Sequence, residues 1–75
     1  MMRIHRTLTQ CEYELLKQMV DERYDGKVEM NYENHYLEFW HRADDAPDCT
    51  RTMYVYAFIN GVIVMLDEIN QRKED

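Results

Sequence analysis

At Asp25-Gly26 the hydrophobic pattern of this chain changes its period, which places a helix before that point and a strand after it. Upstream, Cys11, Leu15, Leu16, Met19, Val20 and Tyr24 recur at three- and four-residue spacing, with Glu14, Lys17, Gln18, Asp21 and Glu22 between them. One stripe is buried and one face is wet. Thr9-Gln10-Cys11-Glu12 has the form of a capping box, so the helix begins there and runs to about Tyr24. Gly26 ends it, because glycine takes the left-handed conformation at little cost. Downstream, Val28, Met30 and Tyr32 alternate with Lys27, Glu29, Asn31 and Glu33, the pattern of a half-buried strand.

Glu33-Asn34 offers a tight turn, and His35 to His41 is rich in aromatic residues, so these strands predict an antiparallel hairpin. Ala43 to Thr50, with Ala46-Pro47-Asp48, reads as a solvated loop, and Thr52 to Ala57 as a third strand. Residues 58–66 carry two signals. Asn60-Gly61 between apolar runs favours a hairpin, whereas Ile59, Val62, Ile63, Leu66 and Ile69 form a helical stripe. The helix is preferred, since Arg72 and Lys73 then lie at the end that suits the helix dipole. The expected fold is α+β: a three-stranded antiparallel sheet with an N-terminal and a C-terminal helix on one face, in the order helix, strand, strand, strand, helix. With two Gly, one Pro and no linker-like stretch in 75 residues, a single domain over 1–75 is the economical organisation.

Charge and motifs exclude several functions. Fifteen Asp and Glu against nine Lys and Arg give a net charge of −6, which repels phosphate backbones and anionic lipid. The segment Met1 to Arg6 lacks an apolar run, and the longest such stretch, Val62 to Leu66, is far below spanning length. A cytoplasmic setting is expected, the host cytoplasm if the chain belongs to an infecting element. Cys11 and Cys49 read as free thiols. His35 and His41 stand roughly 20 Å apart along one strand and cannot share an ion. Asp44-Asp45-Ala46-Pro47-Asp48 lacks the alternation and glycine of a calcium loop. Cys49 with His41 or His35 has no nucleophile elbow around it, and Gly26 and Gly61 stand alone, so no phosphate loop exists. Enzymatic activity, a metal and a cofactor are not expected.

What remains is a surface. Side-chain alternation puts Leu37, Phe39 and His41 on one face of their strand and Tyr36, Glu38, Trp40 and Arg42 on the other. The third strand sorts Met53, Val55 and Ala57 from Tyr54 and Tyr56 in the same way. Two helices cover only one face of so small a sheet, so Tyr36, Trp40, Tyr54 and Tyr56 are expected to form an aromatic patch. Around it Glu29, Glu33, Glu38, Asp44, Asp45 and Asp48 supply negative charge. Tyr and Trp are typical interface anchors. The expected function is therefore binding of another protein with a basic or nucleic-acid-binding surface, as a phage or mobile-element inhibitor would do. The alternative is a homodimeric assembly module whose aromatic faces pack together. Against both stands the plain reading that the rings pack across strands and the acids only solvate the domain. A single-strand RNA platform would need basic flanks that this sequence does not have.

Overall fold

The computed structural model describes residues 2–43 and 46–73 of the chain. The first helix, α1 (Gln10–Tyr24), starts where the capping box places it. Thr9 Oγ1 accepts from the Glu12 amide at 3.1 Å, and Glu12 Oε1 accepts from the Thr9 amide at 2.9 Å. At the other end Asp25 and Gly26 both take left-handed backbone, with φ of 57° and 72°, and the Gly26 amide donates to Asp21 O at 3.0 Å. Leu16 and Val20 are fully buried on the inner side of α1.

Strands β2 (Val28–Glu33) and β3 (Tyr36–Ala43) form the expected hairpin, paired from Val28↔His41 to Glu33↔Tyr36. The two-residue turn is Asn34-His35, one residue beyond the expected position. Both residues have positive φ, 54° and 65°, as a turn that follows the strand twist requires. The inner face carries Val28, Met30, Tyr32, Leu37, Phe39 and His41, with Leu37 and Phe39 at zero exposure. Two further short strands share the other edge of β3: β1 (Met2–His5) pairs with residues 36–39 and β4 (Ala46–Asp48) with residues 41–43. Neither was expected from the sequence. Tyr32 anchors the link between β1 and α1, its hydroxyl donating to Arg6 O at 2.9 Å and accepting from the Leu8 amide at 2.8 Å.

The main correction concerns the C-terminal half. Thr52 to Ala57 is not a third strand but the first turns of one continuous helix, α2 (Cys49–Lys73). Its buried residues, Thr52, Val55, Ile59, Val62, Ile63 and Leu66, follow the helical period without a break. A strand ending at Ala57 would need a turn before the helix, and no turn residue stands between Thr52 and Ile59. Asp48, read as a loop residue, starts the helix instead: its Oδ1 accepts from the Arg51 amide at 2.9 Å. Residues 58–66 are accordingly helix and not hairpin. Both helices cover the inner face of the sheet in a single core with Leu37, Phe39 and Val28. The layout from α1 to α2 is the expected helix, strand, strand, strand, helix of a small α+β fold, with the short β4 as the third strand and β1 added on the same edge of β3.

As one helix, Cys49–Arg72 is long and apolar enough to cross a membrane by length and composition, with mean hydropathy 1.3 and 33% of its apolar window buried. The short run Val62 to Leu66 underestimates it. A core helix passes the same test, and the inner stripe of α2 holds the sheet.

Candidate protein-binding surface

The outer face of the sheet is built by the residues that alternate with the core. Strand register sets them in rows: His5, Tyr36 and Glu33; then Arg3, Glu38 and Asn31; then Trp40 beside Glu29. Tyr36 is 40% exposed and Trp40 half-buried. Trp40, Glu29, Met30, Asn31 and Glu38 line a shallow depression of about 260 Å³. Arg3 lies over the Tyr36 ring, 5.1 Å from its centroid, and the His5 ring centroid stands 4.7 Å from that of Tyr36. Tyr36 is thus packed by two neighbours from β1, whereas Trp40 lines the depression.

Charge on this face is largely balanced. Arg3 pairs with Glu38 at 3.4 Å and Arg42 with Glu29 at 3.4 Å, while Arg42 also donates to Gly26 O at 2.8 Å. These are exposed pairs of small individual worth. Glu33 is the one acid of the face with no ion pair among the described residues.

The structure therefore brings together Tyr36, Trp40, Glu29, Glu33 and Glu38 and separates the other expected residues from them. Tyr54 and Tyr56 lie on α2, on the far side of the sheet, because their segment is helical. Tyr54 is exposed, and Tyr56 is half-buried with its ring 6.1 Å from that of Phe39, so it belongs to the rim of the core. Asp48 caps α2 and bridges Arg51 at 3.6 Å. Asp44 and Asp45 lie outside the described residues. Arg3 and His5 were missed, since β1 gives only four residues of alternation from which to read a face; Asn31 lies on the outward side of β2 but carries neither charge nor ring to single it out.

The histidines have structural partners. His41 is buried, Nδ1 lies 2.7 Å from Arg42 O, and the ring meets the edge of Tyr24 at 6.0 Å. His35 Nδ1 lies 3.3 Å from Thr7 Oγ1. Among the described residues no three His, Cys, Asp or Glu side chains gather as metal ligands would, and both cysteines are exposed free thiols. Glu12 is held below the usual carboxylate range, chiefly by the Thr9 amide and then by the Asn70 side-chain amide, which donates to its Oε2 at 3.1 Å. Its position is a helix cap, not a cleft. Compared with known proteins, the chain matches no family model, no curated protein and no solved structure.

Proposed function

We propose that this protein is a small binding module that recognises another protein through the open face of its sheet. Trp40 and Tyr36 are the apolar anchors; Glu33, without an ion pair among the described residues, favours a partner that brings basic side chains, and Glu29 and Glu38 join it where the partner displaces their exposed pairs with Arg42 and Arg3. One observation carries the reading. Both helices pack on the same side of the sheet, and the uncovered side places Trp40 in a depression edged by polar groups. An apolar centre with a polar rim is the anatomy of a protein interface. The net charge of −6 favours a basic or nucleic-acid-binding surface as the target, so inhibition by occupying such a surface, in a cytoplasmic setting, is the form of this function that we favour.

Trp40 is the only tryptophan, so its fluorescence reports from this face alone. A partner isolated on immobilised wild type and identified by mass should shift Trp40 emission to the blue in a saturable titration. Binding should weaken at least about tenfold in Trp40→Ala and fall with added salt. A partner that binds wild type and Trp40→Ala equally well overturns the assignment.

A further inference from the structure

We infer that the outward face of α2 is a seam for a second copy of this chain, packed antiparallel. From Thr52 to Leu66 the helix carries no charged residue, yet only one side of it is used by the core. The opposite side is apolar: Met53, Tyr54, Val64 and Met65 are 66%, 67%, 58% and 41% exposed. Scattered exposed apolar groups need no explanation. These are contiguous and ordered. Thr50, Tyr54, Ala57, Gly61, Val64 and Glu68 are spaced by four, three, four, three and four residues, the alternation of a coiled-coil seam over two heptads. The core stripe of the same helix lies on the other side, so this second stripe is not needed to hold the fold.

The residue sizes choose the orientation. Around a two-fold axis near Ile59, Ala57 of one copy falls level with Gly61 of the other, and Tyr54 level with Val64. Two small residues in the central layers let the backbones approach closely, and large ones close the layers outside. The ends then set Thr50 against Glu68, a hydroxyl donor against a carboxylate acceptor. A parallel pair would instead set Glu68 against Glu68. Gly61 costs helix stability where it stands, and a Cβ added there would meet nothing within 4 Å, so the monomer gives no reason for it. With Met53 and Met65 flanking the seam, each copy would bury on the order of 500 Å², about 1,000 Å² in total, the lower range of specific interfaces. A dimer of micromolar affinity is the expectation. Lipid is the poorer occupant, because the seam ends on Glu68 and the chain carries −6. The two open sheet faces would then point away from each other, making the binding module bivalent.

Sedimentation equilibrium over a dilution series tests this with wild type, Gly61→Glu, Val64→Glu and Trp40→Ala. Gly61→Glu should fold at least as well as wild type, since glutamate is the better helix former and has open space. Wild type should dimerise, both glutamate variants should raise the dimer Kd at least about a hundredfold, and Trp40→Ala should leave it unchanged. A wild type that stays monomeric at its highest soluble concentration overturns the seam, whether or not it floats with neutral phosphatidylcholine vesicles. A dimer that Trp40→Ala dissociates and Gly61→Glu does not also overturns it. Partner binding is read separately by Trp40 emission in monomeric Gly61→Glu, so either idea can fail alone.

Discussion

Thr52→Val isolates the hydrogen bonds that lock α2 to the sheet. Thr52 is 3% exposed, its Oγ1 accepts from the His41 amide at 2.9 Å, and it donates to Asp48 O at 2.6 Å. One hydroxyl therefore joins β3, the end of β4 and the first turn of α2. Valine keeps the volume and the branch at Cβ, so the loss is confined to polar partners. Two intramolecular hydrogen bonds are each worth about 1 kcal/mol, and a buried amide left without an acceptor costs about 1–3 kcal/mol. These overlap, and the net loss should be about 2–3 kcal/mol. A domain of this length has a total stability of roughly 4–11 kcal/mol, so between about a fifth and three quarters of it would go. The melting temperature should fall by about 10–20 °C. Urea unfolding followed by far-ultraviolet circular dichroism gives the free energy, with an unchanged m-value showing that the same surface is exposed. Thr52→Ser is the control, keeping the hydroxyl and losing a methyl at a cost of about 1 kcal/mol. If Thr52→Val lies within about 0.5 kcal/mol of wild type, or no lower than Thr52→Ser, packing and not hydrogen bonding holds this junction.

Glu12→Ala should cost about 1 kcal/mol at neutral pH by removing half of the capping box and the contact with Asn70. Because folding lowers the Glu12 pKa, its contribution is present above the ordinary carboxylate range and lost as pH falls through the lowered folded value. The gap between the two proteins in thermal melts should therefore close in acid. Phe39→Ala, at a site with zero exposure on the central strand, should cost about 3–5 kcal/mol and leave the chain largely unfolded by circular dichroism at 37 °C. His35→Gly should raise stability by about 0.5–1 kcal/mol in urea, since glycine takes the positive φ of 65° more easily and the Thr7 contact it forfeits is long and exposed.

The two ends of legibility in this sequence are α1 and the start of α2. In α1 the capping box, the period and the glycine stop all agree, and element and bounds follow. The β2–β3 hairpin was legible for the same reason, and with it the placement of Tyr36 and Trp40 on the open face. Thr52 to Ala57 is different. Its Val and Tyr residues favour a pleated surface, and alternation fits them as well as the helical period does, so local propensity pointed to a strand. Tertiary burial of Val55 and Ile59 decided the matter, and Asp48 was the available sign of a helix start. Misplacing that segment carried Tyr54 and Tyr56 onto the wrong side of the protein. Strand β1 was not legible because four residues hold too little pattern, and its partners lie at 36–39.

That pairing of β1 with β3 sets the order of events during synthesis. Met2 and Ile4 have no strand to join until residue 39 has followed them out of the ribosome, while Arg6 waits for Asp67, 61 residues further on. At about 5–20 residues per second, α1 can coil within moments of its appearance, yet the N-terminal strand stays unpaired for seconds. The inner sheet face likewise has no α2 to cover it until residues 49–73 are made. Completion of the fold thus waits for α2, and the nascent chain spends that interval with Leu37 and Phe39 only partly sheltered, the period in which a chaperone would find most to hold.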